Sequence, residues 1–412
     1  MDTLYAVCCG LDVHKTTVTA CLRQVDRGGR VTKEVRTVGT TTAALLALCD
    51  WLVGAGCTHV ALESTGVYWK PVFNRFEGHF VQVLVVNAQH GKAVPGRKTD
   101  TLDAEWLAQL LQHGLLRGSF IPPAPIRALR EATRDRKQVI RARGDEANRI
   151  QKLLEGANLK LASVATAILG VSGRAMLAAV VRGETDATVL ASLAKGRLRR
   201  KQEQLVAALT GRITVVPRTL LGQQLAHVEY LDGAIAALDQ LVGQLLAPYQ
   251  AEAERLRTTT GVDRRTAEVV IAELGVDMTP FPSDRHCAAW AGICPGNDES
   301  AGKRKSGKTR KGSKWLRAAL TEAAWAASRT KSYLGAQYHR IARRRGKKRA
   351  AVAVAHSILV IAYHLLKDGT TYQDLGPDYF DRRDTGQLQR RLIGRLEALG
   401  LRVIVEPLPQ AA

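Results

Sequence analysis

Aromatic residues are scarce in this chain, at 5% of 412 residues. Ala and Leu are abundant instead, a balance that favours helix over most of the length. Cysteine is also thin. Cys8, Cys9, Cys21, Cys49, Cys57, Cys287 and Cys294 are odd in number and contain no Cys-x-x-Cys pair. That argues against a zinc ribbon or a disulfide framework and for small buried hydrophobes in a reducing compartment. No stretch of about 18 consecutive apolar residues is seen, so no membrane span is expected. The opening Met1-Asp2-Thr3-Leu4 has no basic flank and no apolar core of a secretory signal. A cytoplasmic protein, at the nucleoid when acting, is expected. There is no low-complexity tract and no fixed-period repeat. Acid is in short supply too: 38 Asp and Glu face 60 Lys and Arg.

The resulting charge of +22, with a pI near 10, favours a polyanionic partner, because each neutralised phosphate releases counterions. With 46% hydrophobic residues the chain can build real cores, and its length suits two or three domains.

Strand and helix signals alternate over the first ~115 residues. Leu4–Leu11, Thr16–Gln24 and Val31–Val38 read as strands, with a turn at Asp26-Arg27-Gly28-Gly29. A helix over Thr41–Val53, a strand at His59–Leu62, a helix over Val67–Glu77, a strand at Phe80–Val86 and a helix over Thr99–Leu111 follow. A three-stranded meander followed by alternating helix and strand suggests an RNase H-like α/β layer. Ile121-Pro122-Pro123-Ala124-Pro125 reads as a linker. Ile126 to about Gly156 is helical and rich in Arg, and helical signals continue to Ala247, broken at Gly170, Gly183, Gly211 and Pro217. Leu220–Leu246 is a long amphipathic helix, so a coiled-coil-like arm that builds a dimer is expected. Leu256–Gly275 reads helix, tight turn, helix, like a helix-hairpin-helix whose turn amides hold DNA phosphates. Pro280–Gly312 reads as loop, Lys314–Ser328 and Ala350–Leu366 as helices, and the tail after Gly369 as irregular. The expected domains are 1–120, 121–250, 251–369 and a tail, 370–412.

Four carboxylates stand where a nuclease needs them. Asp12 ends the first strand in Gly10-Leu11-Asp12-Val13-His14-Lys15, and Glu63 ends another in Ala61-Leu62-Glu63-Ser64-Thr65-Gly66. Asp100 and Asp103 open a helix in Lys98-Thr99-Asp100-Thr101-Leu102-Asp103-Ala104 and share one face through their i, i+3 spacing. Phosphoryl transfer needs Mg²⁺ to neutralise the scissile phosphate, and such hard cations take carboxylate oxygens. Any one of these acids is more simply a solvated or capping residue. All four within one α/β domain of a strongly basic chain favour metal binding. His14 and Lys15 flank the acids, and His14 is equally a structural residue or one that orients water or phosphate.

A second constellation lies in Ala289-Trp290-Ala291-Gly292-Ile293-Cys294-Pro295, Asn297-Asp298-Glu299-Ser300-Ala301-Gly302 and Lys311-Gly312-Ser313-Lys314-Trp315-Leu316-Arg317. Seventeen Lys and Arg face one acid, Glu322, between Ala301 and Ala350. They include Lys303, Arg304, Lys305, Lys308, Arg310, Lys311, Lys314, Arg317, Arg343, Arg344, Arg345, Lys347, Lys348 and Arg349, which read as nucleic-acid contacts that position the backbone without reading sequence. A charge run is otherwise a solvated face. Trp290, Trp315 and Trp325 suit base stacking less well than core packing.

Taken in combination and in order, these motifs resemble the insertion-sequence transposases that carry a DEDD motif, the insertion-sequence 110 family of bridge-RNA-guided serine recombinases. The resemblance covers roughly residues 4–114 and 254–366. It implies a RuvC-like N-terminal domain and a mostly α C-terminal transposase domain. It implies Mg²⁺, with Mn²⁺ as a substitute, on Asp12, Glu63, Asp100 and Asp103. It also implies a nucleophilic serine in the basic loop, best matched by Ser300, with Ser306 as runner-up. Target and donor DNA, a structured non-coding guide RNA and a homodimer or homotetramer are the implied partners. One subunit's serine would complete another's acidic site. Two other functions fit the residues: a Holliday-junction-type endonuclease using metal-activated water, which needs no serine, and a non-enzymatic nucleic-acid-binding protein, whose binding survives Asp12→Asn.

Overall fold

The computed structural model describes residues 3–26, 28–63, 66–86, 100–295, 298–300, 302–306, 309–383 and 385–405; at 100–102, 298–300, 303–306 and 387 it describes the backbone alone. The chain forms two compact units, 1–121 and 122–412.

The first unit is a mixed five-stranded sheet with helices on both faces. Its strands are β1 (Val7–Val13), β2 (Thr17–Val25), β3 (Val31–Gly39), β4 (His59–Glu63) and β5 (Gln82–Val86), in the order β3-β2-β1-β4-β5. The first three pair antiparallel; β1–β4 and β4–β5 pair parallel. This arrangement is consistent with the RNase H-like layer expected. The period-2 alternation of β1 explains both faces. Cys9, Leu11 and Val13 point into a core with Leu45, Leu48 and Leu52 of α1 (Thr42–Gly54) and Phe73 and Phe76 of α2 (Trp69–Phe76). Cys8, Gly10 and Asp12 point the other way, toward α3 (Asp100–Gln112), whose Ala104, Ala108 and Leu111 are buried.

In the second unit, α4 (Ala124–Gly156) and α9 (Val215–Leu246) lie side by side. Their pairs Arg136–Asp239, Arg143–Asp232 and His227–Glu146 run in opposite chain directions, so the helices are antiparallel. Pro217, expected to break the helix, sits in the first turn of α9, where its missing N–H has no partner to lose. Four short helices, α5 (Leu161–Val164), α6 (Val171–Val181), α7 (Ala187–Ser192) and α8 (Gln202–Leu209), cap one end of this pair around Ile150, Leu154, Met176 and Leu205.

Then come α10 (Gln250–Arg257), α11 (Arg264–Leu274), α12 (Asp284–Ala291), a hairpin of β6 (Asp298–Ser300) and β7 (Lys303–Ser306), α13 (Lys314–Ala327), α14 (Tyr333–Arg345) and α15 (Lys347–Asp368). Helices α12 and α14 were not expected. Both are short and polar on much of their surface, and both are started by serine caps: Ser283 accepts from His286 N and Ser332 from Gly335 N. The tail, expected to be irregular, forms α16 (Tyr379–Arg383) and α17 (Thr385–Glu397). One helix, α15, is long and apolar enough to cross a membrane, which corrects the expectation of no such segment. More than half of its most apolar stretch is buried against neighbouring helices, the pattern of a core helix.

All seven cysteines are free, six of them buried and Cys294 half-buried. Burial pushes the Cys8, Cys57 and Cys287 thiols up to about 12, so they remain protonated hydrophobes.

Candidate active site

Parallel pairing of β1 with β4 sets Leu11 opposite Leu62. The next step of that register places Asp12 beside Glu63, on the sheet face that α3 covers. Asp12 is 5% exposed, and its Oδ2 lies 3.1 Å from His14 Nε2, so His14 is the acid's neighbour from within the same motif. Glu63 is half-buried at the C-terminal end of its strand.

Gly10 sets how closely α3 approaches. A Cβ there would lie 2.3 Å from the Ala104 carbonyl oxygen and 2.4 Å from the Ala108 nitrogen. No side chain fits in that space. The glycine of Gly10-Leu11-Asp12 therefore lets a helix backbone rest directly on β1. The Cys8 thiol reaches the Ala108 carbonyl at 3.5 Å, so strand and helix run in opposite senses. Two residues beyond Gly10 along β1, the path leads to Asp12. One turn before Ala104 along α3, it leads to the helix start that carries Asp100 and Asp103. Asp103 is half-buried, and at Asp100 the backbone alone is described. Among the described residues, no group of three or more His, Cys, Asp or Glu side chains stands close enough to hold a metal. Ser64, Thr65, Lys98 and Thr99 lie outside the described residues.

The second constellation is a closed loop. Gly292 ends α12 in the left-handed region, with φ +68°. A Cβ on Gly292 would fall 2.7 Å from Gly312 N, and one on Gly312 would fall 2.4 Å from the Ala291 carbonyl. These two glycines let the ends of the loop meet. A bridge between Pro295 and Thr309 continues the closure, and β6 pairs with β7 beyond it. Ser300 pairs with Lys303 at the connected end of this hairpin, while Ser306 pairs with Asp298 nearer its base. The side chains of Ser300, Ser306, Lys303, Arg304 and Lys305 are not among those described, and Lys308 lies outside the described residues altogether.

The Gly-Ser-Lys-Trp-Leu-Arg segment has a local logic. Ser313 caps α13 by accepting from Leu316 N at 3.2 Å, and its hydroxyl donates to Glu273 Oε2 at 2.9 Å. Arg310, Lys311, Lys314 and Arg317 are exposed along this loop and helix start. Arg343, Arg344, Arg345, Lys347, Lys348 and Arg349 are exposed on either side of Gly346, at the junction of α14 and α15. Trp290 packs against Phe281 and Trp325 against Tyr338, while Trp315 lies beside Lys314 and Arg134.

The arginines of α4 behave differently. Arg134 makes a two-pronged bond to Glu273, at 2.7 and 2.8 Å, and Arg130 donates to the carbonyls of Ala272 and Glu273. Arg136 is buried between Glu268 and Asp239. These cations hold α4 to α11 and α9. The turn between α10 and α11 is likewise engaged within the protein. Gly261, at φ +89°, packs on Ala323 of α13, and Thr258 Oγ1 accepts from Tyr372 N at 2.9 Å.

An α/β unit that bears the candidate acids is thus followed by a basic helical unit that carries a hairpin. Residues 9–159 match a transposase model of the acidic DEDD type, and residues 253–340 match the transposase model of the IS116/IS110/IS902 family. Together they account for more than half of the chain, which belongs to the IS110 family of transposases. Its activity is that of a DNA transposase or recombinase, and DNA is its partner. Families of this acidic type typically use a divalent metal. No curated protein matches the chain.

Proposed function

We propose that this transposase cleaves and rejoins DNA strands with a divalent ion, Mg²⁺ or Mn²⁺, held by Asp12, Glu63, Asp100 and Asp103, and with Ser300 as nucleophile. The observation that carries this reading is the backbone arrangement around Gly10. With the β1–β4 register, which continues from Leu11 opposite Leu62 toward Asp12 and Glu63, the close rest of α3 on β1 at Gly10 supports this grouping of the acids. A donor set of carboxylates suits a hard divalent cation. When bound, the ion supplies charge neutralisation at the scissile phosphate.

The chain's own residues do the rest. Ser300 Oγ forms a bond to phosphorus as one sugar oxygen leaves, and that oxygen takes up a proton in place of the one the serine loses. The phosphoserine ester keeps the bond energy, so a second strand's hydroxyl can reverse the step without ATP. Its place at the connected end of the hairpin favours Ser300 over Ser306, and Gly302 beside it leaves room for a DNA backbone. The exposed cations Lys303, Arg304, Lys305, Lys308, Arg310, Lys311, Lys314 and Arg317, with Arg343–Arg345 and Lys347–Arg349, contact phosphates. A homo-oligomer, with one subunit's serine meeting another's acids, and a structured guide RNA that carries sequence choice complete the reading.

Strand exchange and nicking by Ser300→Ala and Asp12→Asn test it. Both substitutions should lower strand exchange by at least about 10²-fold. A Ser300→Ala protein that still nicks at the wild-type rate is a junction-type endonuclease using water.

A further inference from the structure

Where the matched segments end, at Arg340, a cleft of about 470 Å³ opens between α14 and the tail, lined by His339, Arg340, Arg343, Arg344, Phe380 and Arg391 among others. Asp381 is the one acid of its lining among the described residues, and it faces Arg391 at 3.7 Å. Arg340, Arg343 and Arg344 stand at i, i+3 and i+4 and so share one helix face. All three are exposed, and none has a carboxylate within ion-pair reach among the described residues. Crowding like charges on one face is unfavourable unless an anion neutralises them. The helix C-terminus attracts cations and accounts for the arginines of the last turn. It does not account for Arg340 a turn earlier, 5.0 Å from the Phe380 ring, or for Arg391 on the opposite wall.

That wall is held in place. The Asp374 carboxylate accepts from Tyr333 N at 3.1 Å, Gly376 N at 2.8 Å, the Tyr372 hydroxyl at 3.0 Å and the Thr260 hydroxyl at 3.3 Å. The Tyr333 ring stacks on Phe380 at 5.3 Å and meets Tyr379 edge-on. The tail is thereby docked on the first turn of α14, with α16 and α17 facing its arginines.

We propose that this cleft binds the phosphodiester backbone of one unpaired DNA strand, with the tail as its second wall. The inference rests on the reading of the basic surface as nucleic-acid contact and extends it to a site. Arg340 to Arg344 spans about 6 Å of helix axis, a step suited to successive phosphates. A cleft between two helices admits a single strand, not a duplex, and a positively charged groove that tracks the backbone is how unpaired strands are held. The family acts on DNA, whose strands separate when they are exchanged.

The test is equilibrium binding of a labelled single-stranded DNA oligonucleotide, its duplex and an RNA of the same sequence, across a salt series. The triple variant R340A/R343A/R344A should bind the single strand roughly tenfold to a hundredfold more weakly, with a salt slope lower by about 2. Leu388→Glu, which adds a carboxylate to the cleft and removes no cation, should weaken it in the same direction. The positions are solvent-accessible, and melting curves verify the fold of each variant. A single-strand loss larger than the losses for duplex and RNA supports the site. No loss, or an equal or larger loss for either competitor, overturns it. Ser300→Ala should bind the strand as the wild type does, so failure of the cleft and failure of the catalytic reading remain separate results.

Discussion

Gly10 matters for what it lacks. Its missing Cβ lets the backbone of α3 lie directly against β1, the contact on which the proposed approach of the helix-start acids to Asp12 rests. Gly10→Ala forces strand and helix apart and should cost about 1–3 kcal/mol, read as a lower denaturant midpoint. It should also cut strand exchange although no acid is altered. Unchanged stability and activity would show that α3 does not need this approach. Arg136 teaches the opposite lesson, because a cation in a DNA-binding protein is not always a DNA contact. It is 3% exposed and spans Glu268 and Asp239. Arg136→Met strips Glu268, itself buried, of one of its two cations and should cost about 3 kcal/mol. The salt slope of DNA binding should not move.

Among the elements, the hairpin that carries Ser300 and the tail that docks on α14 are each held by contacts from a few particular residues. The hairpin is fastened by Gly292 against Gly312, the tail by Asp374. Burial pushes the Asp374 carboxyl up, but hydrogen bonds from Tyr333 N, Gly376 N and the hydroxyls of Tyr372 and Thr260 outweigh it and hold the group below its ordinary value. A group whose folded pKa is depressed contributes stability that is fully present above its unfolded pKa, about 3.9. That contribution disappears as the pH falls through the folded value. The melting-temperature gap between wild type and Asp374→Asn should be constant from neutral pH to about pH 5 and should close in more acidic solution. A gap that widens with acid would contradict this role. The strands and long helices are legible in the sequence because their apolar spacing is regular, as in β1 and in α9. Helices α14 and α17 escape such a reading, since several arginines and other polar residues interrupt their apolar spacing. The same holds for the α4 arginines: their charge is visible, but Glu268 and Glu273 lie more than a hundred positions away.

At the scale of the whole molecule, the chain divides its chemistry. One unit carries carboxylates on a sheet, and the other carries a serine and most of the cations on helices and a hairpin. The family was legible in the sequence, because the acidic and serine-bearing motifs occur in combination and in order, while the roles proposed for the single residues rest on that resemblance. The close rest of α3 on β1 and the closure of the basic loop were not legible, because they depend on Gly10, on the β1–β4 register and on the glycines that meet at the base of the loop. The most direct measurement is capture of the covalent intermediate, with DNA and the intact protein in Mg²⁺, followed by denaturation and identification of any nucleotide-linked peptide. The expected result is a DNA adduct on the peptide containing Ser300, absent from Asp12→Asn and from metal-free reactions. Efficient strand exchange with no adduct, or an adduct on Ser306 or another side chain, would contradict it.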